Sequence, residues 1–248
     1  MKTTPLIGAG LIAVALAGPA FAQDATWTGE GSFGAGVTTG NTDTSDFGLG
    51  LKLGRQAGPW TVSLEAVAEY AETDGAETKN RMFFAGQVDR DFTDRIYGFG
   101  RASYEQDEFS GFENRAFVGV GVGYRVLLGE QTTWAVEAAP GVKLDEVRET
   151  VLPGPVITPA YSDTSFSVIG ASRLAHDFND NVKLTNDTTV TYAETSTQIE
   201  NRLAVTAALG AALSARFSVD VRHDTDPPFG FEDTDTATRV SLVYAFGE

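Results

Sequence analysis

The chain has 248 residues, with 34 acidic and 18 basic side chains, a formal charge of −16 at neutral pH, 27 glycines and no cysteine. Such an acidic balance argues against a nucleic-acid partner, whose phosphates need basic patches. The lack of cysteine excludes a disulfide scaffold, a thiolate nucleophile and thiolate metal sites, and the glycine-rich, 10% aromatic composition suits sheet more than helix.

Lys2 is followed by the apolar run 6–17, then Gly18-Pro19 and Ala20-Phe21-Ala22. Charge, short apolar core and small-x-small site make residues 1–22 a signal peptide cleaved after Ala22. The run is shorter than the roughly 20 apolar residues that span a bilayer as a helix. Nothing in 23–248 is apolar for long enough to do so either, so a membrane-embedded mature protein has to be a barrel.

From there the chain reads as twelve strand candidates of alternating polarity. The first covers 30–38, with Phe33, Ala35 and Val37 against Ser32, Gly34 and Gly36, and ends in the polar turn cluster 39–43. The second, 47–53, sets Phe47, Leu49, Leu51 and Leu53 against Gly48, Gly50 and Lys52. After Gly58-Pro59 the third places Trp60, Val62, Leu64, Ala66, Ala68 and Tyr70 opposite Ser63, Glu65 and Glu69. The fourth and fifth, 81–88 and 96–105, have ambiguous facing, because Phe83 with Phe84 and Tyr97 with Phe99 do not sort into two faces. Charge on lipid is costly, which turns Arg101, Ser103 and Glu105 inward.

The sixth, 117–126, opposes Val118, Val120, Val122 and Tyr124 to Gly119, Gly121, Gly123 and Arg125. The seventh, 134–145, contains Pro140, which removes a ladder donor. Residues 146–163, with three prolines, read as a long loop. Strands eight to eleven are 165–175, 183–192, 199–209 and 217–223, and the twelfth is 239–246. In that last strand Val240, Leu242, Tyr244 and Phe246 share one face. They resemble the C-terminal assembly signal of bacterial outer-membrane barrels, although Gly247 and Glu248 follow the usual final aromatic.

Two further regularities concern the connections. The stretches before strands five, nine and eleven look alike, as Phe92-Thr-Asp-Arg95, Phe178-Asn-Asp-Asn181 and Leu213-Ser-Ala-Arg216, which suggests repeated hairpins. Odd-to-even connections, such as 71–79, 106–114, 146–163 and 224–235, are long and acidic, whereas even-to-odd ones are short. That is the pattern of barrels with long outer loops and tight periplasmic turns. The expected fold is therefore all-β, a transmembrane antiparallel up-and-down barrel of about 12 strands with both termini periplasmic.

With apolar residues on lipid, the lumen-lining set is Lys52, Glu65, Glu69, Arg101, Glu105, Arg125, Glu137, Lys143, Arg173, Lys183, Arg202, Arg216, Asp220, Arg222 and Arg239. Base exceeds acid in this wall, while the acid of the chain sits in loops. Such a wall either forms a passage for small anions or pairs across the interior and seals it. Neither histidine marks a catalytic site: His223 has Thr225 but no Ser among its i±2 neighbours, and His176 adjoins a turn. The acidic stretches lack the Asp-x-Asp-x-Asp-Gly spacing of a dedicated calcium loop. No catalytic residue, metal or cofactor is expected.

The segments Gly36-Val-Thr-Thr-Gly-Asn-Thr-Asp-Thr44, Asp94-Arg-Ile-Tyr-Gly-Phe-Gly-Arg-Ala-Ser-Tyr-Glu105 and Gly119-Val-Gly-Val-Gly-Tyr-Arg125 resemble the YdiY-type salt-induced outer-membrane proteins. The resemblance runs from about residue 27 to residue 246. It implies an outer-membrane β-barrel of Gram-negative bacteria and transfers no functional residues. The functions in view are a narrow passive pore for small solutes or ions, a non-conducting structural or adhesive barrel with acidic loops acting in envelope or ionic-stress maintenance, and an outer-membrane hydrolase using His223. The expected partners are outer-membrane lipid, lipopolysaccharide and the barrel assembly machinery, with the protein a monomer.

Overall fold

A strand that carries apolar residues on one face and polar residues on the other needs a neighbour on each edge to satisfy its backbone. Closure into a ring gives every strand two neighbours. The computed structural model describes residues 25–39, 44–73, 76–151 and 157–247, and twelve long strands in it close into one antiparallel barrel. Residues 1–22, read from the sequence as a signal peptide, lie outside the described residues.

The barrel strands are β1 (Thr26–Thr39), β2 (Thr44–Ala57), β3 (Trp60–Thr73), β4 (Ala76–Asp91), β5 (Ile96–Asp107), β6 (Phe112–Leu128) and β7 (Thr132–Val147). They continue as β10 (Tyr161–Asn179), β11 (Val182–Ala193), β12 (Thr197–Ala208), β13 (Leu213–Asp224) and β14 (Thr234–Gly247). A two-stranded ribbon, β8 (Thr150–Val151) with β9 (Ile157–Thr158), lies in the β7–β10 connection. β1 and β14 pair from Thr28 opposite Gly247 to Thr39 opposite Thr236, which shuts the ring. Both ends of the barrel chain therefore lie at one rim, here the terminal end; the other is the loop end.

Apolar side chains cover the outside. Phe33, Leu49, Leu64, Val118, Val120, Val122 and Phe166 are all exposed, Val120 by 68% and Phe166 by 69%. Aromatics gather near both rims, with Trp27, Trp60, Phe92 and Phe178 at the terminal end and Phe47, Tyr104, Tyr161 and Tyr192 at the loop end. Val240, Leu242, Tyr244 and Phe246 continue this outer face along β14. Such a belt bounded by aromatics is the surface a barrel presents to lipid. No helix among the described residues is long and apolar enough to cross a membrane.

The strands run further than their alternation indicates, and this corrects two readings. Residues 71–79 and 106–114 are mostly strand, since β3 and β4 reach Thr73 and Ala76, and β5 and β6 reach Asp107 and Phe112. Once a strand leaves the lipid its outer face can be polar, so the alternation ends before the ladder does. The long connections are β7–β10 and β13–β14. The repeated turn is also displaced: Leu213 to Arg216 belongs to β13, and the turn before it is 209–212. That turn does match 92–95, because Phe92 and Thr93 N–H donate to the Ile96 carbonyl as Leu209 and Gly210 donate to that of Leu213. Pro140 pairs with Val168 on β10, while the β6–β7 ladder has a gap between Gly119–Gly141 and Val122–Ala138.

Inside, the barrel is divided lengthwise. Tyr97, Phe99, Phe117, Ala139 and Ile169 form a buried apolar cluster against β5, β6, β7 and β10. The facing left ambiguous in the sequence is thus resolved with Tyr97 and Phe99 inward. Small residues opposite make room for them: Gly123 faces Tyr97 in the ladder, and a Cβ there would lie 2.1 Å from its ring. The remaining space is pushed toward β1–β4 and β11–β14.

Candidate functional site

The lumen is the one region where charge is concentrated against low-dielectric walls, and inward parity along the strands places its residues. At the terminal end a cavity of about 520 Å³ is bounded by Glu30, Lys52, Glu65, Gln87, Asp89, Arg101 and Arg173, among others. A second of about 240 Å³ continues it, reaching Lys183, Asp187, Arg202, Arg216, Asp220 and Arg239. Toward the loop end the space shrinks to about 60 Å³ around Glu69, Lys79, Asp107 and Arg222. A pocket of about 70 Å³ lies beside the apolar cluster, lined by Arg101, Glu105, Arg115, Lys143, Asp145 and Glu200.

Ion pairs account for the narrowing. Arg81, on β4, is 4% exposed and reaches Glu69 Oε2 at 3.2 Å and Glu105 Oε2 at 2.8 Å. Glu69 also receives Lys79 at 3.4 Å and Arg239 at 2.6 Å, the latter from β14. Arg222 on β13 reaches Glu105 on β5 at 3.6 Å, and Arg115 on β6 reaches Asp224 on β13 at 2.8 Å. At mid-height Arg202 on β12 bonds its neighbour Asp220 and reaches Glu65 on β3 at 3.4 Å, while Lys52 stands 3.9 Å from the same carboxylate. Arg216 forks onto Glu30 with bonds of 2.6 and 2.7 Å. A guanidinium fork matched to a carboxylate fixes both partners in direction as well as distance.

The terminal half is bridged more lightly. Arg173 bonds Glu137, which also accepts from Gln87 Nε2 at 2.9 Å and Tyr97 Oη at 2.8 Å. Nearer the loop end of β7, Lys143 is 3% exposed and donates to Asp145 and to Ser196 Oγ. Arg125 sits at the terminal rim, 2.7 Å from Asp91 and over the Tyr97 ring. Lys183 pairs with Asp177 at 3.4 Å, both half exposed.

The loop end carries a cover besides. The β13–β14 connection turns through a Phe231 N–H to Pro228 carbonyl bond and meets the β5–β6 connection at Gly111. A Cβ at Gly111 would stand 2.7 Å from the Phe231 ring and 3.1 Å from Pro228, and its φ of 78° already favours glycine. These connections join strands on opposite sides of the ring, so their contact crosses the mouth.

The excess of base expected in the wall falls away. Inward positions also hold Glu30, Asp89, Asp107, Asp145, Asp187, Glu200 and Asp224, together with Lys79, Arg81 and Arg115. Several of these lie near strand ends that read as loop, where continuing the inward parity of the neighbouring strand would have found them. Arg81 was missed because the adjacent Phe83 and Phe84 obscure that parity.

The catalytic candidates also have definite places. His223 Nδ1 is 2.9 Å from Thr234 Oγ1, which in turn donates to Asp233 at 2.9 Å. The hydroxyl lies between imidazole and carboxylate, whereas a triad needs the imidazole in the middle. His176 bonds Thr132 Oγ1 at 2.8 Å. Among the described residues no three histidines, aspartates or glutamates are grouped to hold a metal ion.

Comparison with known proteins agrees with this architecture. The chain is 25% identical over 219 residues to "Uncharacterized protein YdiY" of Escherichia coli (strain K12), covering 87% of this chain and 82% of that protein. Among solved structures, the NanC porin superposes with a TM-score of 0.54 at 11% identity, covering 86% of this chain and 98% of that one. The translocator domain of autotransporter NalP from Neisseria meningitidis gives 0.53 at 12% identity, covering 89% and 88%. The KdgM porin gives 0.50 at 12%, covering 88% and 99%. At these identities the likeness is one of fold. Residues 31–246 match a single family model across nearly the whole barrel, and the chain belongs to the family described as "Protein of unknown function, DUF481".

Proposed function

We propose that the protein is an outer-membrane barrel forming a narrow, gated pore for small ions or solutes. The carrying observation is the contrast between the two ends of the lumen. A wide cavity serves the terminal end, and ion pairs between facing strands close the loop end. Charges paired in this way form a constriction that opens when the pairs are weakened, because attraction between partly solvated groups depends on screening. In this reading residues 1–22 direct export and are cleaved after Ala22, the termini face the periplasm, and the acidic loops face outward toward lipopolysaccharide. The closing β14 face is what the assembly machinery recognises, and the barrel works as a monomer.

Planar-bilayer recording of the refolded protein tests this. Small, resolvable steps with weak anion preference support the pore, and a folded barrel that inserts without ever conducting removes it. The cover of Phe231 and Pro228 over Gly111 favours one second reading. In it the barrel stays shut, and its function lies in the acidic loops as a structural or adhesive surface for the envelope under ionic stress.

A further inference from the structure

Arg101 differs from the other arginines of the lumen. Arg81, Arg115, Arg125, Arg173, Arg202, Arg216, Arg222 and Arg239 each hold a carboxylate. Among the described residues Arg101 has no ion pair and no side-chain hydrogen bond, and its Nε, like those of Arg81, Arg115 and Arg239, is buried without an acceptor. It lines both the 520 Å³ terminal cavity and the small inner pocket, so its side chain borders both spaces. Glu200 lines that inner pocket too and forms no ion pair with it.

We infer that Arg101 is the anchoring residue of a binding site for a small organic carboxylate, entered from the terminal end. A guanidinium whose Nε is buried without an acceptor is costly, and a ligand oxygen supplies what the wall withholds. The charge of the site sets the ligand class. Of the carboxylates bounding the cavity, Glu30 is held by Arg216 and Glu65 by Arg202, while Asp89 accepts from the neutral Gln87 Nε2; none of them pairs with Arg101. One unpartnered guanidinium beside several carboxylates suits a monoanion and disfavours a dianionic phosphate. The planar fork of the guanidinium matches the two oxygens of a carboxylate. A cavity of about 520 Å³ lies in the range of small-molecule sites, roughly 300–1,000 Å³.

This deepens the pore reading by naming the solute class that enters the vestibule, and its test does not need a current. The Nε–Hε resonances of isotope-labelled arginine are followed in the refolded, micelle-bound protein during titration with sodium acetate. Sodium chloride and sodium phosphate at constant ionic strength are the comparisons. Arg101 is assigned by its loss in Arg101→Gln. A saturable displacement of that resonance by acetate is expected, stronger than with phosphate. In Arg101→Lys, which keeps the charge without the fork, acetate affinity read from the remaining resonances should fall about tenfold. Should Arg101→Gln fail to fold, the wild-type titration and Arg101→Lys carry the test. Equal, non-saturating responses to the three salts overturn the site, as does unchanged acetate affinity in Arg101→Lys. Bilayer recording of the same preparation separates the two ideas: saturable acetate binding by a non-conducting barrel keeps the site and removes the pore, and conduction without saturable binding does the reverse.

Discussion

Arg222 on β13 and Glu105 on β5 lie six strands apart in either direction around the ring, yet Nη1 and Oε1 are 3.6 Å apart. A contact between diametrically opposed walls leaves little free passage at that height. Glu105 is also held by Arg81 from the next strand, so the crossing rests on an anchored carboxylate.

That anchoring makes the crossing separable from the fold. Arg222→Gln leaves Glu105 paired with Arg81, and the stability loss should stay within about 1–2 kcal/mol. Conductance, in contrast, should rise on the order of two- to threefold as the constriction widens. Denaturant midpoints alongside single-channel amplitudes check both parts; a large loss of stability with no change in amplitude would place Arg222 in the scaffold instead.

The mouth gives a second, independent handle. Gly111→Val both strains a residue held at positive φ and pushes on the Phe231 ring, whereas Phe231→Ala removes the cover without touching the turn. Both should raise the fraction of time spent in the open level, with amplitude unchanged. Equal open times in wild type and Phe231→Ala would show that the loop does not gate.

Arg81 bears on stability. It is 4% exposed and holds two carboxylates, so Arg81→Met removes two buried charge-assisted bonds, although Glu69 keeps Lys79 and Arg239 and Glu105 keeps Arg222, and should cost about 3–5 kcal/mol. Lys52→Met, at a half-exposed pair 3.9 Å from Glu65, should cost no more than about 1 kcal/mol. Urea unfolding from lipid vesicles distinguishes them, and equal effects would contradict the account of the interior.

On the outside, Val120 lies midway along β6 and is 68% exposed. Val120→Arg should cost about 2–4 kcal/mol in lipid, as charge at the bilayer midplane does, and little in a position beyond the aromatic rims. A negligible cost at Val120, measured by the same unfolding, would mean that its face does not contact hydrocarbon.

Much of this barrel could be read from alternation alone. The rows Phe47 to Leu53 and Val118 to Tyr124 are simple because lipid demands apolar residues on one face and glycine suffices on the other. The strand ends were not legible, since Asp107 and Asp224 resemble loop acids until the ladder is seen to continue past the lipid. Parity identified Arg202 and Glu65 as inward, but which charges meet depends on the radius and stagger of the closed ring, properties of all twelve strands together. The division of the lumen was hidden for a related reason. Tyr97 and Phe99 resemble outer aromatics, and only the glycines opposite, on β6, allow them inside.

The most direct test of the central claim is the salt dependence of single-channel conductance in the unmodified protein. Screening shortens from about 10 Å at 0.1 M to about 3 Å at 1 M salt, which weakens the longer, more exposed Arg222–Glu105 crossing more than the buried Arg239–Glu69 pair. Conductance should therefore rise more steeply than the conductivity of the solution, and Arg222→Gln should bring it closer to proportionality. Strict proportionality in both proteins, or no conductance at any salt concentration from a barrel shown to be inserted, would contradict a pore gated by its ion pairs.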